Sequence, residues 1–351
     1  MSDQALDWMV NILRAHPVVN GQQLVWCTDE NALHGITGFH HPGLRVITNR
    51  WDVAEQAKAN QLKVEFSDFN LGAQTDCSLD AFFYRVSKEK PLVHHLLNHA
   101  WRCLKIGGEL YLSGFKNDGT KTYIEKIARL MQCDKSTQKD GQIYSARLIK
   151  NADFTPSNQL DCSDYETLRP IAPDSGLQLV SKPGLFGWNK VDAGSALLID
   201  QLEQAFACRP VPTSCLDLGC GYGYLTIAAA KRLPIKRWLL TDNNSAAIAV
   251  ATENLKINDL AGQVIAADAG SGIQEKVDLL LCNPPFHQGF NIDGDLTDKF
   301  LASASRLLAP KGVALFVVNQ FIPLERKAAP LFREVKTLVD NGSFKVIQLA
   351  H

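Results

Sequence analysis

The chain has 351 residues, more than a single hydrophobic core usually serves, so two domains are expected. Hydrophobic residues make up 46% and charged residues 21%, which excludes a wholly disordered chain. Lys and Arg number 36 against 37 Asp and Glu, a formal net charge of −1 that excludes a strongly basic nucleic-acid coat but not a local basic face.

The opening MSDQALDWMV is acidic and amphipathic and does not read as a signal peptide. No apolar run reaches the roughly 18 residues of a membrane helix. QQLVWCTD (22–29), RVITN (45–49), LKVEF (62–66), DAFFYRV (80–86) and GELYLSGF (108–115) read as strands, with VAEQAKAN (53–60) and PLVHHLLNHAWRCL (91–104) as helices between them. A polar, turn-rich stretch follows at 151–176 and reads as a linker. The segment 181–202, SKPGLFGWNKVDAGSALLIDQL, ends in a helix and leads into the second half.

There the rhythm is clearer. SCLDLGCGYG (214–223) is an apolar strand running into a glycine turn, and YLTIAAAKRL has helical spacing. RWLLTDNN is a strand ending in Asp242, followed by the helix SAAIAVATENLKIND, with Ser245 expected as its N-cap. QVIAADA, VDLLLCNPP and GVALFVVN are further strands, TDKFLASASRLLA is a helix, and 335–349 is a hairpin turning at Asn341-Gly342. Strands alternating with helices argue for an α/β protein with a parallel sheet covered on both faces and an antiparallel pair at one edge.

The two halves share a pattern. DAFFYRVSKEKP, a helix, then RCLKIGGELYLSGF parallels DLLLCNPPF, a helix, then RLLAPKGVALFVVN. Asp80 falls on Asp278, Gly108 on Gly312 and Arg85 on Asn283. This reads as a degenerate internal repeat, the alternative being two unrelated α/β domains with like patterning. The boundaries expected are 1–155 for the first domain, 156–179 for a linker and 180–351 for the second.

The chemistry sits at strand ends in the second half. The glycines of Asp217-Leu-Gly219-Cys-Gly221-Tyr-Gly223 permit a tight turn and close backbone approach to a ligand. A carboxylate two residues before them repels a pyrophosphate and suits a cationic, hydroxyl-bearing ligand such as S-adenosylmethionine. Asp242, 25 residues on, stands where an acid accepts from ribose hydroxyls, or is a strand-end acid or cap. Asp268 is a candidate for the adenine end, or a surface acid. Asn283-Pro284-Pro285-Phe286 is the sharpest signal. Prolines remove backbone donors and stiffen the loop. Asn283 offers a side-chain carbonyl and Pro284 a backbone carbonyl, a pair suited to an NH2 group conjugated to a ring, and Phe286 offers a stacking face.

DLGCGYG followed by NPPF resembles the class I S-adenosylmethionine-dependent methyltransferases that act on an amino nitrogen, over about residues 180–351. NPPFH, the preceding PGLF…VDAGSALL segment and the decayed first half together resemble the RsmC family of ribosomal RNA guanine-N2 methyltransferases. The resemblance implies two tandem Rossmann-like methyltransferase domains, the first a degenerate copy lacking the cofactor site. It implies S-adenosyl-L-methionine as cofactor, and 16S rRNA or the small ribosomal subunit as partner, with guanine 1207 as target. A sister family of the same plan modifies 23S rRNA. By the same resemblance Asp217, Gly219 and Gly221 line the methionine end, Asp242 with Asn243 holds the ribose, Asp268 lies near adenine, and Asn283, Pro284 and Phe286 are catalytic. Direct transfer needs no metal and no covalent cysteine; Cys220 and Cys282 flank the motifs without an obvious base partner and read as packing residues.

His287 contacts RNA, takes up a proton, or is a plain loop residue. Asn319 is a further candidate pocket residue. His94, His95 and His99 share a helix without an acidic ligand and read as a solvated or packed face. The nine cysteines, without a CxxC pair, fit reduced thiols in a cytosol. The first half lacks the glycine turn, and Arg85, Lys88 and Lys90 either meet RNA phosphate or form an ordinary charged loop. A monomer is expected. Rival readings are a methyltransferase for DNA adenine or protein glutamine, a non-catalytic RNA-binding assembly factor and, more weakly, a dehydrogenase.

Overall fold

The computed structural model describes residues 3–152, 159–171, 176–285 and 294–351. They form two compact units, Met1–Glu166 and Thr167–His351. The first runs α1 (Gln4–Ala15), β1 (Leu24–Thr28), α2 (Leu33–Ile36), β2 (Leu44–Thr48), α3 (Trp51–Ala59), β3 (Lys63–Phe66), β4 (Leu79–Arg85), α4 (Lys90–Cys103), β5 (Leu104–Phe115), α5 (Thr120–Met131), β6 (Asp134–Asp140) and β7 (Ile143–Ile149). The second runs β8 (Arg169–Pro170), β9 (Val180–Ser181), α6 (Ala193–Asp200), α7 (Leu202–Phe206), β10 (Ser214–Leu218), α8 (Tyr224–Ala230), β11 (Arg237–Asp242), α9 (Ser245–Ile257), β12 (Gly262–Ala266), β13 (Val277–Cys282), α10 (Gly294–Leu307), β14 (Leu308–Asn319), α11 (Leu324–Ala328), β15 (Glu334–Asp340) and β16 (Phe344–Ala350).

Each unit holds one seven-stranded sheet, ordered β3-β2-β1-β4-β5-β7-β6 and β12-β11-β10-β13-β14-β16-β15. Five strands pair in parallel and the last two join through antiparallel pairings in both, only β7 and β16 running against the rest, so the orders superimpose strand for strand. The central strands are mostly apolar because helices cover both faces. In β10, Cys215 packs on one face and Leu216 and Leu218 on the other, the two-residue alternation of a strand.

The repeat extends to single residues. Asp80 accepts a hydrogen bond from Gln23 N at 2.7 Å, and Asp278 from Thr213 N at 2.9 Å, each tying the second residue of a strand to the entry of its neighbour. A Cβ on Gly108 would lie 3.1 Å from Leu79 O, and one on Gly312 would lie 2.9 Å from Val277 O. The same step in register breaks the ladder there in both units, between Leu79 and Ala81 and between Val277 and Leu279.

Three expectations change. Strands β6 and β7 continue the first sheet past the last strand read from the sequence. The N-cap of α9 is Asn244, whose side chain accepts from Ala246 N, and Ser245 is the first helical residue. The described parts of the expected linker pack against the units: Leu160 and Tyr165 enter the first core, Ile171 and Leu179 the second. Among the described residues no helix is long and apolar enough to cross a membrane.

Candidate active site

In the second unit the strand order reverses between β10 and β13, and their carboxyl ends open a crevice where ligands of such sheets bind. The site residues read from the sequence stand along this rim. Asp217 is in β10, Asp242 ends β11, Asp268 follows β12, Asn283 follows β13 and Asn319 ends β14.

The glycine turn is held from below. Gly219 N and Cys220 N both donate to Thr241 O at 2.9 Å, and Gly223 N to Cys220 O at 2.8 Å. Gly219, Gly221 and Gly223 have φ of +80°, +54° and +85°, which glycine adopts without a Cβ penalty. A Cβ on Gly219 would meet the Phe300 ring at 3.2 Å, whereas one on Gly221 would meet nothing within 4 Å. Gly221 therefore faces open space, and its backbone is bare toward it.

Asp217 is fully buried. Its Oδ2 accepts from Thr226 N at 3.1 Å and from Thr226 Oγ at 2.8 Å, tying β10 to α8. Its Oδ1 is buried without a hydrogen-bond partner. Burial pushes its carboxyl up to about 7, against the two Thr226 hydrogen bonds that favour the charged form. A cationic ligand group would supply the missing partner. Asp242 accepts from Gly221 N at 2.9 Å and from Asn244 N at 2.8 Å, so it shapes the turn, and a carboxylate at that place is an acceptor of the kind ribose hydroxyls need. Asn243 follows it, half-buried. Asp268 is ion-paired with Lys299 of α10. These features fit a ligand with an ammonium group and a ribose.

Asn283 is half-buried and Pro284 buried. The Asn283 amide nitrogen donates to Asp192 Oδ2 at 2.9 Å and to Ser195 Oγ at 2.8 Å. Asp192 is also the N-cap of α6, accepting from Ser195 N at 2.8 Å. Neither residue received a role in the sequence reading, although an Asp three residues before a Ser at the start of an apolar run is an N-terminal helix signal. Phe286 and His287 lie outside the described residues. Asn319 is half-buried, accepts from Phe321 N at 3.2 Å and pairs with Phe344 across β14 and β16. Cys220 and Cys282 are buried, and burial pushes both thiols well up, which suits packing rather than nucleophilic attack.

Two expectations for the first unit are corrected. Arg85 is not a surface cation: it is 5% exposed, with Nε 2.9 Å from Asp3 Oδ2 and a terminal nitrogen 2.9 Å from Asp118 Oδ2. Lys88 and Lys90 are exposed. The histidines of α4 do have an acidic neighbour, since Glu166 brings a ligand atom within 4.8 Å of those of His95 and His99. The Arg102 guanidinium lies 3.1 Å from His99 Nδ1 and opposes a cation there, and His95 Nε2 is paired with Phe69 O at 3.1 Å. His94 is packed, bonded to Asp161 O. After β1 the chain forms a short turn capped by Asp29 instead of a glycine turn.

Family models and relatives agree with this layout. Residues 176–348 match the methyltransferase small domain, and residues 12–161 match its N-terminal domain. The ribosomal RNA small subunit methyltransferase C of Pseudomonas aeruginosa is 32% identical over 301 residues, covering 84% of this chain and 86% of that protein. The Yersinia pestis protein of the same name is 29% identical over 314 residues, with coverage of 88% and 86%. The solved structure of the Thermus thermophilus 16S rRNA N2 G1207 methyltransferase, RsmC, in complex with AdoMet and guanosine, superimposes with a TM-score of 0.79 at 22% identity. It covers 99% of this chain and 92% of that one, and so shares the fold in both units. With its tandem sheets, its glycine turn and its Asn-Pro-Pro strand end, the chain belongs to the ribosomal RNA small subunit methyltransferase C family.

Proposed function

We propose that the protein transfers a methyl group from S-adenosyl-L-methionine to the exocyclic N2 amine of a guanine in 16S rRNA, guanine 1207 by likeness to its relatives. The observation that carries the reading is the orientation of Asn283. Its NH2 is spent on Asp192 and Ser195, so its Oδ1 remains the acceptor of the amide, with the Pro284 carbonyl next along the chain. Two acceptors side by side suit an aromatic amine and give a hydroxyl or thiol no advantage.

The cofactor, when bound, supplies a methyl group on a positively charged sulfur. The chain's residues do the rest. Gly221 lets backbone approach the ligand, Asp217 Oδ1 accepts from an ammonium, and Asp242 accepts from ribose hydroxyls. Asn283 Oδ1 and the Pro284 carbonyl each accept one amine hydrogen. That fixes the amine, turns its lone pair out of ring conjugation and offsets positive charge developing on nitrogen. Phe286 supplies a face for the base, which must leave any helix it sits in.

The test is transfer from radiolabelled S-adenosylmethionine to rRNA and ribosomal subunits from an unmethylated strain, with wild type and Asn283→Ala. Label on N2 of a 16S guanine, reduced about 100-fold or more in the variant, supports the reading. Label on 23S rRNA moves the protein to the other target. Absence of label on any RNA, with cofactor bound, rejects an rRNA substrate.

A further inference from the structure

We propose that Asp192 and Ser195 are positioning residues for Asn283. They lock its amide with Oδ1 toward the amine to be methylated, and the Asp192 charge makes that oxygen a stronger acceptor. The inference rests on the function proposed above and deepens it.

An ionised carboxylate only accepts hydrogen bonds, so the Asn283 atom 2.9 Å from Asp192 Oδ2 must be the nitrogen. Its second hydrogen has an acceptor in Ser195 Oγ at 2.8 Å, so both are committed. A flipped amide would set Oδ1 against the carboxylate, acceptor against acceptor. It would also point NH2 at the substrate amine, donor against donor. One orientation is therefore selected before substrate arrives. Donation to an anion also polarises the amide and raises electron density on Oδ1, where positive charge is to be met.

The first unit carries the same device with a different residue in it. Asp3 is the N-cap of α1, its Oδ1 accepting from Leu6 N at 3.0 Å. Its Oδ2 lies 2.9 Å from the Nε of Arg85, at the repeat position of Asn283. Helix α1 packs on β5 as α6 packs on β14. In both copies a cap carboxylate reaches the residue at the carboxyl end of the fourth parallel strand, and in both that residue donates to it. Leu6 stands where Ser195 stands, so a second acceptor on the capped helix belongs to the unit that keeps the asparagine, while Arg85 finds its second in Asp118.

Asp192→Asn separates this role from capping, because Asn caps a helix as well as Asp but carries no charge and can offer its own NH2. The expected result is a fall in kcat of about 10- to 100-fold. KM for RNA, cofactor Kd and the melting temperature should stay near wild type. Ser195→Ala should give a smaller loss of the same kind. In the Asn283→Ala background, Asp192→Asn should have no further effect. Unchanged kcat, or losses that simply add in the double variant, would overturn the proposal. The Asn283 side-chain NH2 resonances, assigned by their loss in Asn283→Ala, give a readout independent of substrate. They should shift in Asp192→Asn and in Ser195→Ala, and a spectrum that ignores both would overturn it too. Wild type inactive on guanine N2 with those shifts present would reject the substrate and keep the lock.

Discussion

Replacing Arg85 with Met should destabilise the first unit while leaving RNA affinity alone. The Arg85 side chain is 6% exposed and that of Asp118 is 0% exposed, with 2.9 Å between them and a second 2.9 Å contact to Asp3. Asp118 Oδ2 also accepts from Phe115 N, but Oδ1 is buried without a partner. Methionine fills much of the arginine volume, so the loss is chiefly a buried carboxylate left without its cation. Breaking such a pair costs about 3–5 kcal/mol. At about 2–4 °C per kcal/mol, the lowest-temperature transition of the full chain should fall by roughly 6–20 °C in calorimetry. Adding Asp118→Asn should recover about half of that, because the stranded charge is gone. Binding to rRNA should keep its affinity and its salt dependence, whereas a lost phosphate contact lowers the salt slope by about one. Unchanged melting together with weaker, less salt-dependent RNA binding would refute the reasoning and return Arg85 to the surface role first read from the sequence.

Three further outcomes follow from the geometry. Gly221→Ala puts a Cβ into the open space before the turn, at a φ that costs about 1–2 kcal/mol. Because that strain is common to free and bound protein, it lowers stability, while the Cβ itself intrudes on the ligand: cofactor Kd by calorimetric titration should rise about tenfold, or about 1.4 kcal/mol, and an unchanged Kd would mean the ligand passes elsewhere. Asp217 has a folded carboxyl raised from 3.8 to about 7, so the folded form holds its proton where the unfolded form has lost it. Its contribution is complete below about pH 4 and is lost as pH rises to 7, by up to about 4 kcal/mol. Urea titrations across that window should show the ligand-free wild type declining relative to Asp217→Asn, and parallel curves would argue that the carboxylate is already ionised. Gly312→Ala sets a Cβ 2.9 Å from Val277 O and should destabilise the second unit by about 1–3 kcal/mol, and Gly108→Ala should do the same to the first. A neutral result at both would mean the neighbouring strand yields easily.

The parallel strands were legible because burial on both faces writes them as unbroken apolar runs. The turn and the Asn-Pro-Pro loop were legible because glycine and proline are locally decisive. Partners far apart along the chain were not. Arg85 meets Asp3 across 82 residues, Asn283 meets Asp192 across 91, and Glu166 nears His95 only after the chain has crossed the unit. No spacing rule connects such pairs. Capping was misread by one residue at Asn244, where Asn-Ser offers two candidate caps and the backbone decides.

Strand β6, DKSTQKD, escaped the sequence reading because it has almost nothing to bury: all seven residues are exposed. That polarity has a use in a chain that builds the same sheet twice. Like-ordered sheets in one polypeptide invite strands to pair with the wrong copy, or with another molecule, while folding is incomplete. An outer strand with four charges in seven residues offers a poor template for such pairing, and Lys135 is further tethered to Glu125 of the neighbouring helix. The first unit thus guards its open flank against aggregation with a strand too polar to attract a partner.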